Sequence, residues 1–163
     1  MKKKIIFILL SYLIIDFSIS NILFKKTSFW EYEDYVPKYW RISSQIYHHD
    51  LMPNIDVTEQ WGGKFKKRLI TNSLGFRDFT NRNILKKNDK KSILLIGDSF
   101  IEGAGYDYAY TIGGLLQNYL GEEFEVLNSA VGSYSPSIYF FKTKHFLSEG
   151  YQFDYALIFL DIS

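Results

Sequence analysis

One serine stands out by its setting. The apolar, strand-length run Ser92-Ile93-Leu94-Leu95-Ile96 ends in Gly97-Asp98-Ser99-Phe100-Ile101-Glu102-Gly103-Ala104-Gly105. In a parallel α/β sheet, ligands bind beyond the carboxyl ends of the strands. A serine just past such an end meets substrate, and its backbone N–H points to where negative charge can be held. With a base to take its proton, that hydroxyl is a nucleophile toward an acyl carbonyl. Gly97 lets the chain turn sharply, and Gly103 and Gly105 keep the next loop slim. In the plainer reading, Asp98 and Ser99 only cap the following helix. The strand before them and the E-G-x-G after them favour the nucleophile.

The histidines supply no obvious partner. The chain has three, His48, His49 and His145, and no cysteine. Thiol catalysis, disulfides and thiolate metal sites are therefore excluded. His48 and His49 are adjacent, so in a strand or loop they point in different directions. No third ligand follows at metal spacing, and a surface or packing role is expected for Tyr47-His48-His49-Asp50 rather than a metal site. His145 shares a helix face with Ile138 and Phe141, which predicts packing or helix-end chemistry rather than a general base.

The elements that must position Ser99 follow from the pattern around it. The spacing predicts strands over Ser92–Ile96, Phe124–Leu127 and Tyr155–Leu160. Helices are expected from about Thr111 to Leu120, and from Ser135-Pro136 to before Gly150, with serine as N-cap and proline in the first turn. The order β-α-β-α-β, with runs apolar on both faces, means a parallel sheet covered by helices. Upstream, Val57–Trp61 and Lys64–Ile70 flank Gly62-Gly63 and predict a hairpin. The segment Asn72–Asp78 reads as irregular, with a turn at Gly75. Residues 81–91 read as a solvated basic connector, not a nucleic-acid patch, because no aromatic residues interleave the lysines.

Composition is that of a folded chain: 47% hydrophobic, 23% charged, net charge +1 over 163 residues. That charge points to no anionic partner. Aromatics reach 18%, which suits large cores first and sugar stacking second. Lys2-Lys3-Lys4 precedes the apolar stretch Ile5–Phe24, which Lys25-Lys26 follow. About 20 apolar residues are enough to span a bilayer, and the leading lysines favour a cytoplasmic N-terminus. A retained anchor is preferred over a signal peptide cleaved near Ser18-Ile19-Ser20. Either places the rest outside the cytoplasm. The aromatic and charged residues Phe29–Tyr35 would then form an interfacial belt. The expected divisions are 1–26 for the anchor or signal, 27–91 for the juxtamembrane and hairpin region, and 92–163 for the α/β part.

From Asn72 to Ser163 the chain resembles the SGNH/GDSL hydrolase superfamily, in particular its exported or membrane-anchored bacterial members. Gly97-Asp98-Ser99 resembles the first block, which implies Ser99 as nucleophile and oxyanion-hole donor, with Gly97 and Asp98 supporting it. Val126-Leu127-Asn128-Ser129-Ala130-Val131-Gly132-Ser133-Tyr134-Ser135 resembles the second. There the family's oxyanion glycine falls on Ser133 by spacing from Asn128, with Gly132 one residue early. The third block departs from the pattern. Phe159-Leu160-Asp161-Ile162-Ser163 puts Ser163 where the family has an asparagine donor, and Asp161 is expected to face away. The family's Asp-x-x-His block is absent, and a parallel strand ending three residues before the last residue would be poorly covered, so the chain reads as truncated. The resemblance implies a three-layer α/β/α, flavodoxin-like parallel sheet, here partial, behind an N-terminal transmembrane or signal helix and a small hairpin region.

Three functions compete. The first is an ester hydrolase working through a Ser99 acyl-enzyme, with an off-chain histidine as base. The second is an O-acyltransferase of cell-surface polysaccharide. The third is an inactive remnant or binding module, which the missing base favours. The expected partners are a small ester or acylated carbohydrate and, through the N-terminal helix, a membrane. Nucleic acid is not expected, nor is a cofactor or a metal, since acyl transfer to serine needs none.

Overall fold

A computed structural model describes residues 2–26, 40–61 and 65–161. Its elements run α1 (Lys2–Lys26), β1 (Arg41–Ser44), β2 (His48–Leu51), β3 (Asp56–Trp61), β4 (Phe65–Ile70), β5 (Lys91–Ile96), α2 (Ser99–Glu102), α3 (Ile112–Leu120), β6 (Phe124–Asn128), α4 (Pro136–Ser148) and β7 (Tyr155–Ile158). They fall into two compact units, divided between Pro37 and Lys38.

The first unit contains α1. The helix forms over the lysine-flanked apolar stretch. Among the described residues, however, no helix is long and apolar enough to cross a membrane, so the spanning role expected of this segment finds no support in the fold. The proposed aromatic belt at 29–35 lies outside the described residues.

The second unit is mixed α/β. Its centre is a parallel sheet in the order β6-β5-β7. Strand side chains alternate between faces, and β5 uses both. Ile93 and Leu95 join Val126 and Ile101, against which Leu116 and Leu120 of α3 pack. Leu94 and Ile96 join Leu127, together with Tyr139 and Phe146 of α4. Consecutive crossover helices thus cover opposite faces, and the central strand is apolar from Ile93 to Ile96 for that reason. Both crossover helices begin where the sequence placed them. Thr111 Oγ1 accepts from Gly114 N–H at 3.2 Å to begin α3, and Ser135-Pro136 begins α4 without a side-chain cap bond. β7 leaves Tyr155, Leu157 and Ile158 exposed.

Two antiparallel hairpins precede the sheet. β3 pairs β4 from Asp56↔Ile70 to Trp61↔Phe65, as the Gly-Gly signal predicted, although the turn itself lies outside the described residues. β1 pairs β2 from Arg41↔Leu51 to Ser44↔His48, a hairpin the sequence analysis did not anticipate. Each strand is only four residues long, too short for alternation to register. Asn72–Asp78 links these parts. Asn72 Oδ1 accepts from Leu74 and Phe76 N–H, and Gly75 turns at φ +76°. A β-carbon there would lie 2.4 Å from the Leu51 carbonyl oxygen, so only glycine allows this close approach.

Candidate active site

Ser99 is half-buried at the first position of α2, just past the carboxyl end of β5. Strand order reverses direction here: β5 leads to β6 on one side, and β6 leads back across to β7 on the other. Such switch points form crevices in open α/β sheets. Asp98 caps α2, its Oδ1 accepting from Phe100 N–H at 3.0 Å, so the capping reading holds for Asp98. It does not account for Ser99, whose hydroxyl has no hydrogen-bond partner among the described residues. Gly97 is needed for packing as much as for turning. A β-carbon there would come within 2.5 Å of Ile101 Cγ1, forcing α2 away from the strand.

The second expected block lies beside it. A β-carbon built on Gly132 would be 3.5 Å from Ser99 Cβ and 3.3 Å from Glu102 Oε2. The two candidate donors of this turn differ. Gly132 N–H donates to Glu102 Oε2 at 2.5 Å and is therefore taken in this structure. Ser133 has φ +68°, the left-handed conformation that favours glycine, and its N–H has no partner among the described residues. The Ser99 N–H is likewise unpaired. The position that spacing assigned to a glycine thus has a glycine-like backbone while carrying serine.

Gly132→Ala is expected to fold, because the new methyl meets Ser99 at ordinary contact distance and Glu102 only slightly too closely. If Ser99 is the nucleophile, the methyl would stand beside it and displace an acyl group there. A loss on the order of tenfold in kcat/KM is expected from so small a misplacement, measured against a nitrophenyl ester with Tm as the folding control.

Glu102 is fully buried. Arg41 of β1 grips it with both guanidinium arms, at 2.6 Å to Oε1 and 3.2 Å to Oε2. A carboxylate without water needs such pairing. From β2, His49 reaches the same turn, its Nε2 lying 2.8 Å from the Gly132 carbonyl oxygen. The unanticipated hairpin thus contributes two side chains to the surroundings of Ser99.

The loop after the nucleophile is held from the other side. Arg77 is fully buried, and its guanidinium donates to the carbonyls of Glu102, Gly103 and Tyr106. Asn128 Nδ2 donates to the Ile101 carbonyl at 2.7 Å. Four carbonyls that end or follow α2 are satisfied by side chains in this way. Burial pulls the Arg77 pKa down, and the carboxylates of Glu102 and Glu59 oppose that shift. The Asn72–Asp78 segment had no assignable role by its chemistry alone; here it delivers this arginine.

A buried cation anchors β2. Lys142 Nζ of α4 donates to Asp50 Oδ1 at 2.7 Å, the Ser129 carbonyl at 2.8 Å and Tyr134 Oη at 3.2 Å. The rings of Tyr47, Phe76 and Tyr134 surround it at 5.0–5.6 Å. Burial lowers the Lys142 pKa, and Asp50 acts against that. Burial, with Asp50 nearby, raises the Tyr47 and Tyr134 hydroxyls well above the usual tyrosine range.

The remaining sequence candidates lie elsewhere. His145 packs on Tyr47 and Phe146, with ring centroids 5.8 and 5.3 Å away, in keeping with the packing role expected of it. Asp161 is exposed, and Ser163 lies outside the described residues. No group of three or more His, Asp or Glu that could hold a metal occurs among the described residues. Sequence reasoning missed Arg41, His49, Glu102 and Lys142 as parts of one neighbourhood. The one available signal was charge set among apolar residues, as in Phe100-Ile101-Glu102 and Phe140-Phe141-Lys142. No protein-family model matches this chain, nor does any curated protein or solved structure.

Proposed function

We propose that the chain is a serine esterase of the SGNH/GDSL type, built on a partial flavodoxin-like sheet, that cleaves ester bonds through a Ser99 acyl-enzyme. The observation that carries this reading is the unpartnered Ser99 hydroxyl at the switch point, with the Gly132–Ser133 turn alongside it and N–H groups on Ser99 and Ser133 that have no partner among the described residues. Ser99 Oγ attacks the acyl carbonyl, and those two amides receive the oxyanion. The ester C–O bond then breaks, the alcohol leaves with a proton, and water releases the acid. No histidine among the described residues bonds the Ser99 hydroxyl, so on this reading the base is an imidazole from outside the chain. A location outside the cytoplasm belongs to the same reading and rests on the lysine-flanked N-terminal stretch alone.

One observation favours a carbohydrate ester, or transfer to a sugar hydroxyl. Phe100, next to Ser99 in the chain, and Tyr106 and Tyr110 in the segment that follows are 74%, 62% and 72% exposed. Exposed rings beside a nucleophile offer stacking faces to a sugar.

The test is covalent capture. After incubation with p-nitrophenyl acetate and acid quench, peptide mass spectrometry is expected to find acetyl on Ser99. Acetyl only on lysines or tyrosines, with Ser99 unmodified, would remove the proposal. Adding an oligosaccharide acceptor separates the two outcomes for the acyl group: acetylated sugar means transfer, and free acetate alone means hydrolysis.

A further inference from the structure

We propose that His49 is a positioning residue that aims and strengthens the Ser133 N–H through the peptide they share. This inference rests on the Ser99 acyl-enzyme reading above. The Gly132 carbonyl and the Ser133 N–H belong to one planar trans peptide, so they point in opposite directions. Fixing the carbonyl fixes the amide. His49 Nε2 lies 2.8 Å from that carbonyl oxygen. A carbonyl can only accept, so Nε2 carries the hydrogen.

The ring is held on its other sides as well. His48 Nδ1 lies 2.7 Å from His49 Nδ1. One of these two nitrogens carries the hydrogen between them. Tyr134 donates its hydroxyl to the His49 carbonyl at 2.6 Å, and its ring meets the imidazole edge-on at 4.9 Å. Strand pairing of Ser43 with His49 sets the backbone.

Two consequences follow. Ser133 is a non-glycine residue at φ +68°, a conformation that costs free energy unless its surroundings impose it; the imidazole bond supplies part of that restraint. A hydrogen bond to a carbonyl also polarises its peptide, which makes the N–H across it a better donor. The preceding peptide is held separately by Glu102 on the Gly132 N–H. The turn beside Ser99 is thus gripped at two successive peptides by side chains far away in sequence, and the Ser133 N–H is left without a partner among the described residues.

The experiment compares His49→Phe, which keeps a ring against Tyr134 but loses the donor, with His49→Gln, which keeps a donor. Both are made in the full chain, with Tm confirming the fold. Two readouts are taken. The first is the NMR shift of the Gly132 carbonyl carbon and the Ser133 amide proton, which reports the bond whether or not the protein turns over. The second is the rate at which a fluorophosphonate labels Ser99, whose phosphoryl oxygen needs the same donor. We expect both resonances to move in His49→Phe and largely to stay in His49→Gln. The labelling rate is expected to fall roughly tenfold or more in the first and to recover to within a few-fold in the second.

Unmoved resonances in His49→Phe would overturn the inference, as would moved resonances with an unchanged labelling rate. Complete loss of labelling in both variants would overturn it too, by making His49 the base. A wild-type chain never labelled at Ser99 removes the acyl-enzyme reading, and with it the catalytic meaning of this bond. A labelled wild type with an equally reactive His49→Phe removes only the inference.

Discussion

Ser99→Ala is expected to slow nitrophenyl acetate hydrolysis by the chain roughly tenfold or more, with Tm unchanged. The two halves of that expectation come from the same observation. A hydroxyl that bonds to nothing among the described residues contributes nothing measurable to the fold, so its removal leaves Tm alone. The Asp98 cap, the Gly97 contact and the Arg77 clamp all use other atoms and survive. Only the attacking oxygen is lost. Equal rates for wild type and variant would show that any turnover comes from elsewhere on the surface. A large drop in Tm would show instead that the hydroxyl has a structural partner.

Lys142→Met is expected to cost about 3–5 kcal/mol of stability, the usual penalty for stranding one member of a buried ion pair. Methionine fills much the same space among Tyr47, Phe76 and Tyr134. It leaves the Asp50 carboxylate, 4% exposed, with Tyr47 Oη–H and Leu51 N–H as its donors among the described residues. Against a typical total of 5–15 kcal/mol, that loss brings the protein close to unfolding. Adding Asp50→Asn to Lys142→Met removes the stranded charge and is expected to recover most of it. Urea denaturation of the three proteins decides the matter, and a single variant as stable as the wild type would sink the argument.

The pair also predicts a pH dependence. The Lys142 pKa is lower folded than unfolded, so between its folded value and about pH 10 the unfolded chain binds more protons at this site. This contribution makes stability rise with pH across that window. Above it, the raised tyrosine hydroxyls act the other way, since unfolding lets them ionise. Wild type is therefore expected to gain stability relative to Lys142→Met as pH rises toward the unfolded lysine value of about 10. A difference that stays flat, or that shrinks, would contradict a depressed Lys142.

Much of the sheet was legible because its signals are local. An apolar run that must be covered on both faces reads as a central strand, and Ile93 to Ile96 do divide between two cores. Gly75, Thr111 and Ser135-Pro136 mark a turn and two helix starts by their own backbone chemistry. The first hairpin was illegible for the opposite reason. Arg41–Ser44 and His48–Leu51 are four residues each, largely polar, and carry no Gly-rich turn. Their pairing is maintained by what they touch elsewhere. The surface or packing role expected of His48-His49 left the partner open, and His49 meets a carbonyl 83 residues away.

The sequence by itself determined where the nucleophile candidate stands. Strand, Gly97, the Asp98 cap and Ser99 are consecutive, and their geometry follows from neighbours a few residues apart. Tertiary structure alone decided what surrounds it. Arg41 meets Glu102 across 61 residues, and Lys142 meets Asp50 across 92. The Gly132 N–H is occupied and the Ser133 N–H free because Glu102 happens to be buried beneath that turn. No local pattern encodes such choices. They depend on which loops close over one another, and there the desolvation of a few charges selects the partners.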